Sequence, residues 1–495
     1  MKWTIRIRIL YQAFFLVLFL WLLGRLAAGD ARDLPTSAFH HADPLAAIGV
    51  VFAAGTLPGA LIWALVLVGL TLLLGRVFCG WICPLGTLQQ LSSWLLSPRS
   101  RRENLQVNRY RRWYALKTYI LAALLAAALA GSLQAGLFDP LSLAARGLAS
   151  GLWPVLPGGR PVPGGWLAAL LLLAIVVASR FIPRLFCRAF CPLGALLGVF
   201  ARFAIFRIHR HGDACTSCRL CAFACQGADE PLGNHRVHEC HVCLNCVPGC
   251  PESAIGYRAL PPLSPPARET DLARRFLIGT VLGGFVLAPL LRAAGGGRDA
   301  ARAQLVRPPG ALPENEFLQR CVKCSLCQQA CPTGALQPAI TQAGVEGFWT
   351  PVLVPRRGWC EFACTRCGEV CPTGAITRLS AARKTGYDGR PPVSIGTAFV
   401  DRGRCLPWAM GTPCIVCEEV CPTDPKAIWF EVVEERGRHG ELRRLQRPLV
   451  EAARCVGCGI CENKCPVGAE AAIRISSVGE TRDPLNRMLL SGSPG

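Results

Sequence analysis

Four long apolar stretches interrupt the first half of the chain, each near the roughly 20 residues that a helix needs to cross a bilayer. They run from Ile9 to Gly24, within a charge-free segment from Leu45 to Gly75, from Thr118 to Phe138 and from Pro161 to Ser179. The second is too long for one straight helix and contains Gly55, Pro58 and Gly59, which predicts a re-entrant or interfacial turn ahead of the true span. A shorter apolar run, Phe276 to Leu291, sits at the lower limit for a fifth span. Beyond it the pattern breaks into short strand-like pieces such as Ala398-Phe-Val400 and Ala427-Ile-Trp-Phe-Glu-Val-Val433, set between cysteine-rich loops. The predicted fold class is therefore an α-helical membrane domain of four spans, with a fifth candidate, followed by small α+β domains.

Composition supports this division. The chain has 495 residues, mean hydropathy of +0.34 and only 17% charged residues. Its net charge of +21 would suit a nucleic-acid binder, but the distribution excludes that partner. Residues 1–210 hold 21 Lys and Arg against Asp30, Asp33, Asp43, Glu103 and Asp139, so the apolar region alone supplies +16. The positive charges fall before the first span (Lys2, Arg6, Arg8), between the second and third (Arg99 to Lys117) and after the fourth (Arg180 to Arg210). By the positive-inside rule these segments are cytoplasmic, and the loops around Asp30 to Asp43 and Phe138 to Arg160 face outward. The lipid bilayer is the first partner implied.

Twenty-eight cysteines then fix the chemistry. Cys321, Cys324, Cys327 and Cys331 before Pro332 follow Cys-x2-Cys-x2-Cys-x3-Cys-Pro, as do Cys455, Cys458, Cys461 and Cys465 before Pro466. A [4Fe–4S] cube needs four converging thiolates; one tight loop supplies three, and the fourth cysteine of the run reaches the neighbouring cube. Two further runs carry inserted residues after the first ligand: Cys360, Cys364, Cys367, Cys371, and Cys405, Cys414, Cys417, Cys421. A third pair of sites lies closer to the spans, with Cys215, Cys218, Cys221 and Cys250 expected on one cube and Cys240, Cys243, Cys246 and Cys225 on the other. Cys225 is followed by Gln226 instead of proline, which loosens that loop without removing a ligand. Structural zinc prefers two separated ligand pairs, and disulfide scaffolds are short secreted chains, so six [4Fe–4S] clusters are the expected cofactors. For the last four runs a nested pairing is expected, first with fourth and second with third, because the two regular and the two inserted motifs resemble each other. That order puts Cys331 with Cys455, Cys458 and Cys461, and Cys371 with Cys405, Cys414 and Cys417.

The remaining four cysteines form a duplicated motif. Arg76-Val-Phe-Cys79-Gly-Trp-Ile-Cys83-Pro-Leu-Gly86 matches Arg184-Leu-Phe-Cys187-Arg-Ala-Phe-Cys191-Pro-Leu-Gly194 at seven positions, so the membrane domain reads as an internal repeat. Buried packing is the ordinary role of free cysteine, but duplication of the whole motif points to function. Cys79, Cys83, Cys187 and Cys191 are expected to converge at the cytoplasmic membrane surface as a redox dithiol set or an additional metal site, with Arg76, Arg184 and Arg188 favouring thiolate. No histidine lies within a span and there is no Cys-x-x-Cys-His, so no haem is predicted; no glycine-rich nucleotide motif occurs either.

Arg274-Arg275-Phe276-Leu277 ahead of an apolar run resembles a twin-arginine export signal inside the chain, following a proline-rich linker at Pro261 to Pro266. With these motifs in hand, the sequence is similar to two ferredoxin-type proteins joined end to end. Residues 1 to about 260 resemble the NapH type and those from about 270 onward the NapG type, with MauN and MauM similar and NosR more distant. The resemblance implies a membrane domain at 1–205, a cytoplasmic two-cluster ferredoxin at 206–260, a linker with the twin-arginine-like segment at 261–305, a periplasmic four-cluster domain at 306–480 and a tail at 481–495. It further implies a bacterial inner-membrane quinol dehydrogenase module that takes electrons from the quinone pool and delivers them to a periplasmic redox protein or reductase, of nitrate or nitrous oxide type. The alternatives are an electron-supplying maturation factor of the MauM/MauN kind and a redox-sensing membrane protein. No flavin is predicted, since a flavin-attachment domain ahead of the first span, as in the NosR type, is not expected. His40 and His41, on an outward loop, can accept quinol protons near neutral pH, although solvation is the commoner fate of an exposed pair.

Overall fold

The computed structural model describes residues 3–28, 36–95, 100–151, 165–232, 235–259, 273–293, 305–436 and 442–487. The linker at Pro261 to Pro266 lies outside the described residues. The chain divides into two compact units: Met1–Arg25, Pro35–Leu290 and Gln319–Cys324 form the first, and Leu26–Leu34, Leu291–Leu318 and Ser325–Gly495 the second.

The first unit is helical. α1 (Trp3–Ala28) turns Arg8 and Gln12 inward while Leu10, Phe14 and Val17 stay exposed, an inside-out distribution that suits lipid. The long apolar run is broken as its glycines and proline predict. A short α2 (Ala38–His41) precedes α3 (Pro44–Ala54), which Asp43 caps by accepting from the Leu45 amide at 2.9 Å. Gly55, with φ of 67°, ends α3, and α4 (Trp63–Leu74) begins after Pro58 and a single tight turn. α5 (Pro84–Leu95), α6 (Arg101–Val107), α7 (Leu116–Leu129), α8 (Pro140–Gly151), α9 (Gly165–Ala178), α10 (Leu185–Ala189) and α11 (Pro192–Ala201) follow. A hairpin-like pair, β1 (Phe206–Arg210) antiparallel to β2 (Ile255–Ala259), brackets the next cysteine loops and the short α12 (Leu220–Ala224).

Trp3–Ala28, Arg112–Leu129 and Arg274–Leu291 are long and apolar enough to cross a membrane; Gly59–Leu74 and Gly165–Ala178 are apolar but shorter. Large apolar side chains line the outside of these shorter helices, Leu65 and Val66 on α4 and Leu170 and Leu173 on α9. α13 (Arg274–Ala293) packs on α7 so closely that a Cβ on Gly284 would stand 2.4 Å from the Ala123 carbonyl oxygen.

The second unit is made of small pieces. β3 (Leu336–Pro338) pairs with β4 (Pro351–Leu353), β5 (Thr397–Val400) with β8 (Ile473–Ser476), and β6 (Ile428–Arg436) with β7 (Leu442–Val450), all antiparallel. Two-stranded ribbons are marginal alone. Their apolar core is correspondingly thin, Ala398, Ile428 and Ile473 packed around Cys461, so the unit depends on whatever its cysteines hold. Glu314 ties its start to its end, meeting Arg307 and, at 2.8 Å, Arg482.

Candidate iron–sulfur and thiol sites

Three cavities in the second unit are each lined by four cysteines. Cys331 lines one with Cys360, Cys364 and Cys367; Cys465 lines another with Cys405, Cys414 and Cys417; Cys421 lines the third with Cys455, Cys458 and Cys461. Each holds three sulfurs of one loop and one of a neighbouring loop. The nested order is therefore corrected: neighbouring motifs pair, first with second and third with fourth. The cause is local packing. The one-turn helices Leu326–Ala330 and Arg366–Glu369 lie against each other, as do Val416–Glu419 and Ile460–Lys464, and each aims its following cysteine at its neighbour's loop. The insertions do not redirect partners. Between Cys405 and Cys414 the extra residues fold into a one-turn helix, Leu406–Ala409, that begins immediately after Cys405.

None of the 28 cysteines is in a disulfide. Burial pushes the Cys417 and Cys458 thiols up to about 12, and their cysteine neighbours push the same way. Thiols so placed ionise only when a cation shares the cavity, and iron within a cube supplies it. The donor sets thus fit the expected cofactor. One carries a built-in charge: Lys384, buried, donates to Cys360 Sγ at 3.2 Å and to the carbonyls of Glu361 and Cys364 at 2.7 Å.

In the first unit the packing does not separate the two expected sets: Cys221 and Cys250 share a buried cluster with Ile208, Ala254 and Ile255, and Cys215, Cys240 and Cys246 all pack on it. Cys240 has Asp229, Cys243, Cys246 and Cys225 as neighbours. The missing proline after Cys225 is offset by an arginine that the sequence did not flag for this task. Arg188 donates to the Gln226 carbonyl from Nε at 3.0 Å and Nη2 at 2.8 Å.

The duplicated motif forms a site of another kind. Cys79 lies in a widened, π-type turn (Phe78–Ile82), Cys187 in α10, and Cys83 and Cys191 immediately precede the prolines that open α5 and α11. All four are buried, and Cys191 has Cys187, Cys79 and Cys83 as neighbours, so the quartet does converge. The arginines cross between the halves. Arg184 of the second donates to the Cys79 carbonyl at 2.7 Å, while Arg76 of the first lies so close to Gly194 that a Cβ there would stand 2.7 Å from Nη2. The expectation of thiolates is corrected, because the guanidinium groups are largely taken by carbonyls. Arg76 reaches a quartet sulfur, Cys79 at 3.8 Å, and burial pushes the Cys83 and Cys191 thiols well up. Gln89 on α5 was not singled out by sequence; it donates to Cys187 Sγ at 3.3 Å while its Oε1 accepts from Ser179 and the Phe186 amide. Its position in the second half holds Leu197, so the repeat gave no signal for it. Among the described residues no three His, Cys, Asp or Glu stand close enough to hold one metal ion, at the quartet or in the cavities. A single tetrahedral ion at metal–sulfur distances of about 2.3 Å would need tighter thiols.

Sequence reasoning also missed that the quartet and the first cluster pair touch. Arg8 donates to the Cys243 carbonyl at 3.1 Å, Trp81 to Val242 at 2.9 Å and Arg76 to His238 at 2.7 Å. Gly80, inside the first Cys-x3-Cys, has room for no side chain, since a Cβ would fall 2.2 Å from the His241 carbonyl oxygen. Lys117 pairs with Glu239, both buried, to hold the same loop. At the other end of α4, His40 is only 2% exposed, which corrects the picture of a solvated loop pair.

Comparison with known proteins places these sites in context. A family model described as a 4Fe-4S binding domain matches residues 56–103 and 164–211, the two halves of the repeat, and a second model of the same description matches residues 318–337 and 448–470. Methylamine utilization ferredoxin-type protein MauM of Paracoccus denitrificans is 39% identical over 220 residues, 43% of this chain and 84% of that protein. Ferredoxin-type protein NapG of Escherichia coli is 36% identical over 216 residues, 43% of this chain and 89% of that protein. Protein NirI of Paracoccus denitrificans is 33% identical over 198 residues, covering 26% of its own length. No solved structure matches the chain.

Proposed function

The chain belongs to the family of ferredoxin-type proteins that includes MauM and NapG, and from that premise we propose that it is a membrane-bound quinol dehydrogenase module feeding an external redox protein or reductase. The observation that carries the reading is the union, in one chain, of helices apolar enough to cross a membrane with cavities each lined by four cysteines. Iron–sulfur cubes in such cavities supply one-electron carriers; the protein sets their spacing, burial and charge. Six would be held by the cysteines of the six runs, with Cys371 left for Cys321, Cys324 and Cys327 once neighbouring motifs pair. The Cys79, Cys83, Cys187 and Cys191 quartet then joins the adjacent cluster pair as the inner branch of this chain of carriers. The region from Cys215 to Cys250 lies on the cytoplasmic side and the four-cluster unit on the periplasmic side.

A second reading is favoured by the relatives named MauM: an electron supply for building another enzyme's cofactor. Steady-state assay of the purified full-length protein separates the two, with a menaquinol analogue as donor and a soluble one-electron acceptor in excess. Sustained turnover, many electrons per protein per second, is expected of a dehydrogenase. Reduction that stops after one filling of the clusters would leave the maturation role.

A further inference from the structure

Buried ionisable groups in an apolar helical unit are costly and mark function. One such group, at the end of α4 opposite the thiol quartet, takes no part in holding iron. His40 on α2 is 2% exposed and neither ring nitrogen has a hydrogen-bond partner. Beside it Asp43 caps α3 and faces Asp139, the cap of α8, whose Oδ2 accepts from the Ser142 amide at 2.6 Å. Both carboxyls are 2% exposed, with no donor between them, so the pair is held together by a proton. Burial, with Asp139 beside it, pushes the Asp43 carboxyl well up, as that arrangement requires. Burial pushes His40 down to about 3, with His41 and Arg146 acting the same way, so its imidazole is neutral. These loops lie outside the apolar spans.

Arg146 is the common neighbour. It stands beside His40 and Asp139, donates to the Leu137 carbonyl at 2.9 Å, and also neighbours Cys324. The Gln319–Cys324 stretch belongs to this same unit, and it is anchored here: Lys323 donates to Gln134, Arg146 reaches the Lys323 carbonyl, and Gly136 has no room for a Cβ beside the Val322 carbonyl. Proton acceptors and a cysteine of an iron–sulfur motif thus share one arginine. On its other side α2 packs against the tight turn before α4, whose Ile62 and Trp63 are exposed apolar side chains.

We propose that His40 and the Asp43–Asp139 pair form the binding and deprotonation site for a hydroquinone head group entering from lipid past Ile62 and Trp63. This rests on the quinol reading above and gives it a place. A hydroquinone that leaves as quinone gives up two protons and two electrons. One proton goes to the carboxylate of the Asp43–Asp139 pair, which holds one proton and one charge beforehand. The other passes through His40 to half-buried His41, which Ser37 Oγ meets at 3.1 Å, and on to solution. The two electrons would leave one at a time, each to a different oxidised iron–sulfur cluster, and the ligand loop nearest the site within this unit is that of Cys321 and Cys324. Arg146 offsets the negative charge that develops, and Lys323 adds a second positive charge at the same edge.

The test uses the full-length, cluster-loaded protein in lipid nanodiscs, with a fluorescent hydroxyquinoline N-oxide as the binding probe and menadiol as the donor. His40→Gln and Asp139→Asn are expected to weaken probe binding at least tenfold. They should also slow menadiol-driven cluster reduction by about 10²-fold or more, the usual weight of a positioned acid or base, with dithionite reduction unchanged. Wild-type protein irradiated with an azidonaphthoquinone should be labelled on residues 36–43 or 135–146, which settles the site even where a variant fails to fold. Wild-type turnover with menadiol but unchanged variants, or label mapping elsewhere, overturns this site alone. Wild-type protein that neither binds the probe nor accepts electrons from menadiol overturns the quinol reading, and this site with it.

Discussion

In the second unit each described four-sulfur cavity takes three sulfurs from one loop and the fourth from a neighbour, among apolar side chains such as Val400, Leu406 and Ile473. At the helix ends of the first unit, two sulfurs come from each half of a repeat, and the layer behind them is polar: Gln89, Arg76 and the Gly194 amide all point at sulfur. The loop design specifies its ligands locally and leaves the surroundings free to tune potential. The repeat design specifies nothing until two halves of a helical unit meet, and it fixes the surroundings in advance. The first is a loop-built set of four sulfurs in apolar surroundings, and the second is a set of sulfurs backed by polar groups where two halves of a repeat meet.

The largest expected effect sharpens that contrast. Cys83→Ala or Cys191→Ala should slow filling of the Cys215–Cys250 cluster pair after a quinol pulse by at least about 100-fold, far beyond a packing defect, while iron content still corresponds to six cubes. Freeze-quench EPR with iron analysis reads both; normal filling in both variants would return the quartet to a packing role. Next, Cys331→Ala combined with Cys360→Ala should lose one cube, no more than either change alone, whereas Cys331→Ala with Cys455→Ala should lose two. Iron counts in the opposite order would restore the nested pairing. A smaller effect belongs to Lys384, whose charge sits at 3.2 Å from a cavity sulfur. Lys384→Met should lower the potential of one cluster by on the order of 100 mV, seen in an EPR redox titration, and leave the others in place.

The smallest effect lies away from both kinds of site. Burial pushes the Glu314 carboxyl up, but Arg307 and Arg482 outweigh it and hold the carboxyl down at about 2. A depressed carboxylate stabilises fully above its unfolded value of about 4.5 and loses that contribution as pH falls toward 2. Glu314→Gln should therefore cost the second unit about 2 kcal/mol at pH 7, discounted for partial exposure, with the gap closing across that window. Chemical denaturation followed by tryptophan fluorescence checks it, and a gap independent of pH would contradict the assignment.

Spacing made the cubane loops legible because three ligands of a cube lie within seven residues, as Cys321, Cys324 and Cys327 do. Partner choice was not legible, since it follows from which one-turn helices pack together, and the inserted residues after Cys360 and Cys405 misdirected it. The break at Gly55 and Pro58 was written in residues with fixed backbone preferences. Membrane loops hid the rest. His40 looked exposed because it falls in a loop expected to face outward between two apolar runs, and it is buried by α8, more than ninety positions away in the chain. Gln89 and Arg188 were two polar residues among many, and their targets, Cys187 and the Gln226 carbonyl, come from distant segments.

Electron entry from quinol is read most directly by rapid mixing of the oxidised full-length protein with menadiol, frozen at millisecond intervals and followed by low-temperature EPR. [4Fe–4S] signals should grow within the time of one steady-state turnover, with protons released in equal number to electrons transferred. Clusters that stay oxidised in menadiol over many such intervals, yet are reduced by dithionite, would contradict it.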